Sequence, residues 1–505
     1  MTALVGIDLG TTNSAIAFLE KTGKPTILEN SEGAHITPSV VMFESGDHVV
    51  VGEAAKHNAD IHPDRVYREF KRRMASNAAE NPQGLNITPV KLSSLVLKKL
   101  VKDVEPLIGK VTRAVITVPA NFTNEARLST IEAGRLAGLE VTDIVNEPTA
   151  ALLYYSLLRP VSGTVVVYDF GGGTLDVTIA RVKGNNIEIV TSRGDPRLGG
   201  IDFDSRLLGL ITEKYSAQTG ETFDKNVHTL GKTPEEYKQQ LSVRNETSVQ
   251  VAGGASGRVI LKIGREEFER AAATLISKAD LLVDTALEDA KIRARDVTNI
   301  YLVGGTTRMP MVRQHLKTLF GKDPVCYVNP DEVVALGAAL YAGLKASDSS
   351  LNPAQVSAVR GIQLQEVANH FFGTISLAND PASGRKILRN SVILKKNQPL
   401  PCSTTESYYT VHEGQTSVNC RVTQSATLEV DPDFVRVIWD GELGPLPPGR
   451  PESMEIRVTY GYDANQVMHC VFEDVASGLK REVELGIKVA SDDREDAGIE
   501  RFLVD

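Results

Sequence analysis

The chain has 505 residues, 42% of them hydrophobic, and a formal net charge of −9. This length predicts about two to four domains with buried cores. The acidic balance argues against broad nucleic-acid binding, which usually needs a basic excess. Four cysteines without a Cys-x-x-Cys pair favour a reducing, cytoplasmic compartment over a disulfide framework. The sequence shows neither an apolar run of about 20 residues nor a signal-peptide pattern, so we expect no membrane partner.

Short apolar runs alternate with helical patterns over the first 345 residues. A helical stretch covers residues 123–139, and candidate strands lie at residues 4–9, 115–118, 164–169 and 300–303. Alternation of this kind predicts α/β layers.

A polar, turn-rich segment at residues 346–353 interrupts this alternation and predicts a domain boundary. Short strand-like runs separated by turn signals follow it, at residues 392–394, 407–411, 418–422, 435–439, 455–460 and 482–489. This pattern predicts a β-sandwich of about 120 residues.

Two of the strand-to-turn junctions are alike. Residues 7–13 and 168–174 share the order Asp, apolar residue, Gly and then Gly or Thr, and each follows a predicted strand. Asp8 and Asp169 are separated by roughly one domain length. We interpret the repeat as two copies of one βαβ-rich lobe that face each other.

The composition of these two turns suits an anion. Gly10 lacks a Cβ and lets the chain turn tightly, so that consecutive backbone N–H groups can form an anion-binding nest. The hydroxyls of Thr11, Thr12 and Thr174 can add hydrogen bonds to phosphate oxygens. One such turn alone is more often an ordinary hairpin, but two similar turns favour a phosphate clamp.

Acidic side chains next to the turns predict a metal ion. Asp8 and Asp169 would repel phosphate unless Mg²⁺ and its retained waters lie between. Asp176 is suited to hold the same metal waters or to orient an attacking water.

A third glycine-rich turn, at residues 303–308, follows another predicted strand. It can pass beneath a nucleotide base and ribose, with Arg308 stacking on the ring; a plain strand-to-helix turn is the alternative. A Walker-type P-loop is excluded, because Asn226 stands where the Gly-Lys-Thr at residues 231–233 needs its first glycine.

Three segments resemble the three signatures of the 70-kDa heat-shock chaperone family (DnaK-type). They are residues 7–14 (IDLGTTNS), 168–176 (YDFGGGTLD) and 302–310 (LVGGTTRMP). Residues 146–151 and 198–204 also look like the family, and the resemblance extends to about Val489.

The resemblance implies a fold. The family has an actin-like ATPase domain, built from two duplicated ribonuclease-H-like lobes around a cleft, followed by an all-β sandwich that binds peptide. We therefore expect an ATPase domain at 1–345, a linker at 346–367, a β-sandwich domain at 368–490 and a polar tail without a helical lid at 491–505.

The resemblance also implies ATP or ADP as ligand, with Mg²⁺ and K⁺. It assigns nucleotide contacts to Gly10, Thr11, Thr12, Asn13, Gly171, Gly172, Gly173, Thr174, Gly200, Glu235, Lys238, Ser242, Gly304, Gly305, Arg308 and Asp331, with Asp8 and Asp169 holding Mg²⁺ through water. Glu235, Lys238 and Ser242 share one face of a helix, which without the resemblance would be interpreted as solvated.

Catalytic and relay roles follow from the same resemblance. Lys71 matches the lysine that stabilises charge on the γ-phosphate; without the family match, a solvated surface lysine is the better interpretation. Glu147 matches the acid that positions water and metal. With Asp176 and Thr174 it completes the expected catalytic set. Pro119 and Arg127 match the family's relay of nucleotide state.

In the β domain, residues 390–394, 415–418 and 444–451 resemble family landmarks. Tyr408 and Val418 are the candidate peptide-groove residues, with core packing as the alternative for both. Family partners are unfolded or extended peptide segments, a J-domain co-chaperone and a nucleotide-exchange factor.

Three departures from the family pattern stand out. The residues after Val489 are too few and too polar to form a helical lid, so we expect fast peptide release. Gln363 and Gln365 replace linker leucines, which puts interdomain coupling in doubt. The segments at 73–95 and 222–236 are short, which predicts trimmed peripheral subdomains and altered exchange-factor binding.

The leading hypothesis is an ATP-hydrolysing chaperone that binds extended hydrophobic peptides. A nucleotide-dependent interaction protein with one dedicated partner is the first alternative. A small-molecule kinase on the same superfold is the second, and it leaves the β domain unexplained.

Overall fold

The computed structural model describes residues 4–44, 47–59, 61–76, 80, 86–159, 161–346, 348–379, 384–463, 466–485 and 501–505. Within these residues, none of the helices combines the length and apolar character that a membrane span requires.

The first sheet is built from the opening apolar runs. Elements of this region are β1 (Val5–Asp8), β2 (Asn13–Leu19), β3 (Pro25–Ile27), β4 (Thr37–Pro38), β5 (Val40–Phe43), β6 (His48–Val51), α1 (Glu53–His57), β7 (Val66–Arg68), α2 (Pro89–Ile108), β8 (Arg113–Val118), α3 (Asn124–Leu136) and β9 (Glu140–Asn146). The strand order is β3-β2-β1-β8-β9, with β4 paired to β2. Because β1, β8 and β9 are parallel, their carboxyl ends meet at one edge of the sheet.

A second, smaller sheet lies beside it. β5 is its centre and pairs antiparallel with both β6 and β7. Its buried side chains share a core with α2 and the first sheet.

The next part of the chain forms another mixed sheet with flanking helices. Its elements are α4 (Glu147–Leu158), β10 (Ser162–Phe170), β11 (Leu175–Lys183), β12 (Asn186–Asp195), α5 (Gly200–Thr219), β13 (Thr229–Leu230), α6 (Pro234–Val243), β14 (Glu246–Ala252), β15 (Arg258–Gly264), α7 (Arg265–Ala290), β16 (Val297–Val303), α8 (Pro310–Phe320), α9 (Val333–Lys345), α10 (Pro353–Val359) and β17 (Gln363–Gln365). The mixed sheet has the order β16-β10-β11-β12-β17, and β13, β14 and β15 form a separate antiparallel sheet. β10 runs antiparallel to β11 and parallel to β16, as β1 does to β2 and β8.

Helix α9 is apolar around most of its circumference and is almost completely buried, as expected for a helix enclosed by other elements. It packs so closely on α4 that a Cβ added at Gly337 would lie 1.7 Å from the carbonyl oxygen of Ala150. It packs as closely on β1, where a Cβ at Gly6 would lie 2.2 Å from the nitrogen of Ala339. Since α4 begins at Glu147, this packing sets the position of Glu147.

The remaining strands form a β-sandwich. They are β18 (Phe371–Asn379), β19 (Lys386–Leu394), β20 (Cys402–Tyr409), β21 (Val418–Ser425), β22 (Arg436–Leu443), β23 (Glu455–Tyr462), β24 (Met468–Asp474) and β25 (Leu479–Leu485). One sheet has the order β19-β18-β21-β22 and the other β20-β23-β24-β25. Their inner faces share one hydrophobic core, which includes Phe372, Val422, Tyr460 and Phe472.

The expected strands at residues 4–9, 115–118, 164–169 and 300–303 and the helix near 123–139 all occur, with shifted ends. In the β domain the predicted runs fall in β19 to β23 and β25, while residues 486–489 lie outside the described part. Sequence patterns missed β18 and β24, because polar side chains interrupt both. The segment 346–367, predicted as a linker, contains α10 and β17.

The prediction of a polar tail at 491–505 is wrong for its last five residues; residues 491–500 lie outside the described part. Residues 501–505 contain a short strand, β26 (Leu503–Val504), which pairs parallel with β6. Phe502 and Val504 are buried on either side of exposed Leu503. An alternation this short cannot be distinguished from an irregular polar segment by sequence alone.

The α4–α9 contact yields a stability prediction. Gly337→Ala should lower the free energy of unfolding by about 1–3 kcal/mol, because the added methyl group must separate the two helices. Gly209→Ala in α5 is the matched control, since a Cβ there meets open space; alanine should stabilise that helix by up to about 1 kcal/mol. Urea denaturation of both variants measures the two signs, and a stabilised Gly337→Ala would contradict the packing described.

Candidate active site

A cleft of about 960 Å³ opens between the two large mixed sheets. Its lining residues come from the turns that follow β1, β10 and β16, from α6, and from the turn that carries Lys71. Every residue predicted to bind nucleotide lines this cleft, as do Lys71 and Glu147. Asp176 does not line it but lies behind it on β11, where it pairs with Asp169 across the β10–β11 ladder.

The two related turns face each other directly. A Cβ added at Gly172 would lie 1.8 Å from the hydroxyl oxygen of Thr12, and one at Gly173 would lie 2.5 Å from that of Thr11. Glycine is therefore required at both positions by the close approach of the opposite turn. The close approach of the two turns brings their hydroxyls and backbone groups into the same part of the cleft.

The first turn is braced by two serines. Ser14 accepts a hydrogen bond from the Gly10 amide (3.1 Å), and Ser39 donates to the Gly10 carbonyl (2.8 Å). The two hydroxyls also contact each other at 2.9 Å. Sequence reasoning missed Ser39, because it follows β4 and nothing nearby in the sequence marks it.

The second turn is held by an arginine that sequence reasoning also missed. Arg72 donates to the Gly173 carbonyl from Nε (2.9 Å) and from a terminal nitrogen (2.7 Å). The same terminal nitrogen contacts Asp202 Oδ2 at 2.7 Å. Its position next to Lys71 was the signal available in the sequence.

Lys71 is buried, contrary to the surface alternative. Its Nζ donates to Glu147 Oε1 at 2.6 Å and lies 5.7 Å from the centre of the Phe122 ring. Side-chain exposure is 4% for Lys71 and 10% for Glu147. A buried lysine needs such a partner, because an unpaired charge away from water is costly.

Three further carboxyl groups surround this pair. Burial, together with the charge of Glu147, raises the pKa of Asp8 to about 7 and that of Asp176 to about 8. Burial, followed by repulsion from Glu147, Asp176 and Asp8, raises the pKa of Asp169 well above its usual range. Lys71 opposes each shift but does not cancel it. The site therefore holds more carboxyl groups than Lys71 alone could neutralise as carboxylates, and the raised pKa values favour their protonated forms.

The groups fit a bound cation and anion. Asp8 Oδ1 accepts from Thr117 (2.9 Å) at the joint edge of β1 and β8. The hydroxyl of Thr12 and both oxygens of Asp176 are buried without a well-formed hydrogen bond to any described residue. No three His, Cys, Asp or Glu side chains in the described ranges are placed to hold a metal ion directly.

The far end of the cleft is formed by α6 and the turn after β16. Lys238 donates to the Gly200 carbonyl at 2.9 Å and pairs with Asp204 at 2.7 Å. Ser242 donates its hydroxyl to the Lys238 carbonyl, one turn earlier in the same helix, at 3.0 Å. The three residues expected on this helix face do line the cleft.

A second ion pair, besides Arg72–Asp202, crosses the cleft. Glu235 on α6 contacts Lys56 of α1 at 2.8 Å, which joins the two sides. Lys56 was not anticipated, and a short helix with no motif gives no sequence signal for it.

The turn after β16 approaches the second turn closely. Gly304 has a φ of +78°, and a Cβ there would lie 2.5 Å from the Phe170 carbonyl oxygen. Arg308 is half exposed and donates to Asp331 Oδ2 (2.7 Å) and to Asn329 Oδ1 (2.5 Å). These contacts hold its guanidinium at the cleft wall beside Gly305.

The two predicted relay residues lie near Asn146, the residue before Glu147: Arg127 contacts it, and Pro119 follows its strand partner Val118. Arg127 is buried and donates to Asn146 Oδ1 at 2.5 Å and to the Ala120 carbonyl at 3.4 Å. The carbonyl of Pro119 accepts from the Phe122 amide at 3.1 Å. Buried Glu366, which sequence reasoning missed as a site residue, accepts from Thr149 (2.6 Å) and Asn146 (3.3 Å).

The two candidate groove residues lie on different sheets of the β domain. Tyr408 on β20 donates its hydroxyl to Ser391 at 2.9 Å, and Val418 begins β21 opposite Leu443. Both are half-buried against the domain core. They therefore have the packing role considered as the alternative, and their contact with peptide stays a prediction.

The geometry defines a class of site: two facing glycine-rich turns, a buried lysine and excess carboxylates suit a phosphorylated ligand bound with a cation. The sequence matches the family model described as Hsp70 protein over residues 4–83 and 75–505. It is similar to the chaperone protein DnaK of Thermotoga neapolitana, Thermotoga petrophila and Thermotoga maritima. Each is 36% identical over 490 residues, which are 95% of this chain and 79% of the relative.

The chain belongs to the Hsp70 family. It is an ATP-dependent molecular chaperone, and the alternatives of a small-molecule kinase or a dedicated interaction protein are not favoured. Membership implies an actin-like ATPase domain and a β-sandwich, and the mixed sheets, helices and sandwich described above agree with this.

The raised pKa of Asp176 yields a pH prediction. Its pKa is about 8 in the folded protein and about 3.9 in an unfolded chain, so the folded state holds a proton that the unfolded state has released. The free energy of unfolding of the ligand-free protein should therefore fall as pH rises from 5 to 8. Asp176→Asn should remove part of this loss. The free energy of unfolding of the variant, compared with that of the wild type, should therefore be about 2 kcal/mol higher at pH 8 than at pH 5.

Denaturation midpoints at the two pH values measure this difference. Asp296→Asn is the control, since Arg293 lowers the pKa of that carboxyl and its substitution should give no gain at pH 8. An Asp176→Asn effect that is equal at both pH values would contradict the raised pKa.

Proposed function

We propose that this chain hydrolyses ATP to ADP and phosphate in the cleft, with its two sides acting as duplicated ribonuclease-H-like lobes. The observation that carries the proposal is the contact between the two glycine-rich turns, directly above the buried Lys71–Glu147 pair. The equal strand directions around β1 and β10 support the duplication.

The turns would hold the phosphates. Backbone N–H groups of Thr11 to Asn13 and of Gly172 to Thr174 would face the phosphates from opposite sides, and Thr11, Thr12 and Thr174 would add hydroxyls. Asp8 and Asp169 would hold Mg²⁺ through its waters, and K⁺ would add to the positive charge. When bound, Mg²⁺ neutralises charge on the β- and γ-oxygens.

The residues beneath the turns would carry the hydrolytic step. Lys71 would stabilise negative charge on the γ-phosphate, held in place by Glu147 Oε1. Glu147 Oε2 would accept a hydrogen bond from the attacking water. The deprotonated form of Asp176, a stronger base than an ordinary aspartate because its pKa is raised to about 8, would take up the proton that this water releases.

Adenosine would occupy the end of the cleft lined by Glu235, Lys238 and Ser242. Gly200, Gly304 and Gly305 leave room for the base and ribose, and Arg308 would stack on the ring while Asp331 fixes its guanidinium.

Steady-state turnover of Mg²⁺-ATP tests the hydrolytic assignment. Lys71→Ala should lower kcat by about 100- to 1000-fold, because charge on the γ-phosphate loses its stabilising cation. Equilibrium ATP binding should change only a few-fold, which also shows that the variant is folded. Arg73→Ala is the matched control: Arg73 lies on the same turn but pairs with Glu80 at the surface (2.5 Å). Equal turnover by Lys71→Ala and wild type would refute the proposal.

We also propose that the β domain binds extended hydrophobic peptide segments and signals this to the cleft. β17 pairs parallel with β12, and Leu364 lies opposite Ile187 with Gln363 and Gln365 exposed. The two positions at which glutamine replaces the family's leucine are thus on the exposed face. Glu366, the next residue, bonds to Asn146 and Thr149, which flank Glu147 in sequence. A J-domain co-chaperone and an exchange factor are the proposed partners of this cycle.

A hydrophobic heptapeptide tests both parts. It should raise ATP turnover of the wild type at least several-fold, and Glu366→Gln should abolish that stimulation without weakening peptide binding. Val418→Asp should weaken peptide binding at least tenfold, because a charge would enter a half-buried apolar site. Exposed Val475→Asp is the control. Unchanged stimulation in Glu366→Gln would show that coupling takes another route.

A further inference from the structure

The segment Arg501–Asp505, named here the clasp segment, occupies the outer edge of β6. Three backbone hydrogen bonds join it to that strand's neighbourhood: Leu503 N–H to Asp47 O (2.9 Å), Val51 N–H to Asp505 O (2.8 Å) and Asp505 N–H to Val49 O (2.9 Å). It extends the β7-β5-β6 sheet by one parallel strand. An otherwise open strand edge is covered in this way.

Alternate side chains of the clasp segment are buried. Phe502 and Val504 have 4% and 6% exposure, while Leu503 between them has 59%. The Phe502 ring packs edge-on against Phe43 at 5.6 Å between centroids. Both buried residues belong to the hydrophobic core that α2 and the first sheet share. We call the surface of β6, α2 and Phe43 that holds the clasp segment the seat. It takes an aromatic and an aliphatic side chain two positions apart.

Charged groups on both sides complete the seat. Lys102 on α2 donates to the Val504 carbonyl (2.6 Å) and to Asp505 Oδ1 (2.8 Å). Arg501 pairs with Asp47 at 3.0 Å. Both ion pairs are largely exposed, so they add little to the free energy of binding the segment. Their main effect is to fix the direction and register in which the segment pairs with β6.

The position of the clasp segment matters because of what precedes it. β25 ends the described β domain at Leu485, whereas the clasp segment is bound to the ATPase part. The β domain also touches that part at α3, where Gln424 accepts from the Asn124 amide (3.2 Å) and Arg436 pairs with Glu125. At its other end, β17 is bound to β12.

We propose that the clasp segment is an intramolecular fastener that keeps the β domain close to the ATPase part. While it is seated, residues 486–500 limit the separation of Leu485 from the β6 edge to about 50 Å, even fully extended. A seated clasp therefore holds the α3 contacts and the β17 pairing at high effective concentration. Release of the strand frees the β domain to move away. The occupant of the β6 edge is this chain's own segment, not a second copy.

Hydrogen–deuterium exchange of the full chain tests the proposal without any ATP turnover. Val504→Asp places a charge in the buried seat and should speed exchange of the Val51 amide at least tenfold. It should also speed exchange at the amides of residues 363–365, because the β17–β12 pairing loses its fastener. Leu503→Asp is the matched control: the neighbouring side chain is exposed, so both regions should keep wild-type exchange.

Three exchange results would overturn the proposal. Unchanged protection of Val51 in Val504→Asp would show that the segment is not seated. Faster exchange at Val51 with unchanged exchange at 363–365 would show a seated strand that fastens nothing. Faster exchange in Leu503→Asp equal to that in Val504→Asp would show that the burial pattern does not govern the seat.

A second measurement covers the case in which Val504→Asp disturbs the lobe itself. A fluorescent peptide of residues 500–505 (ERFLVD) should bind Val504→Asp, whose seat is vacated, at least tenfold more tightly than Leu503→Asp, whose seat is filled. Equal binding to both would overturn the proposal. Light scattering gives the mass: a wild-type dimer that becomes a monomer in Val504→Asp would assign the strand to a second copy and overturn the intramolecular form.

Discussion

Repulsion among buried carboxylates is the constraint on which this structure depends. Asp8, Asp169, Asp176 and Glu147 surround Lys71 as the buried cation they share, and burial raises the pKa of all three aspartates. Like charges in a region of low dielectric favour the protonated forms. The scaffold must therefore hold them together by other means. It does so with α4 and α9, whose close backbone packing places Glu147 where Lys71 can reach it.

Much of the α/β framework could be predicted, because periodic apolar runs mark its strands. The turns at Gly10 and Gly172 could also be predicted, since glycine and threonine after a strand have a local chemical meaning. Ser39, Arg72, Lys56 and Glu366 could not, because each reaches the site through tertiary contacts that leave no local pattern. Family resemblance was needed to select Lys71, which by sequence alone is one lysine among many.

The same limit explains the errors at the other end of the chain. β24 alternates buried and more exposed residues, and β18 contains Gly373 and several polar residues, so neither gives the continuous apolar run that marked other strands. β26 is too short for any periodicity to be significant, and its identity depends on Phe43 and α2, far away in the sequence. A polar composition over residues 491–505 therefore concealed a short segment in which two of the three apolar residues, Phe502 and Val504, are buried. The glutamines of β17 do not prevent the strand from pairing with β12, because that pairing uses the backbone, and their effect on interdomain coupling stays a prediction.

The Lys56–Glu235 ion pair connects the two sides of the cleft at the end opposite to α4 and α9. The helices α4 and α9 join the two sides permanently below, whereas this half-buried ion pair spans them above. A bridge of this kind contributes roughly 0–1 kcal/mol and weakens as ionic strength rises. The two ends of the cleft are thus held by different forces. Tight helix packing, which salt does not screen, holds one end, and an ion pair that salt weakens holds the other.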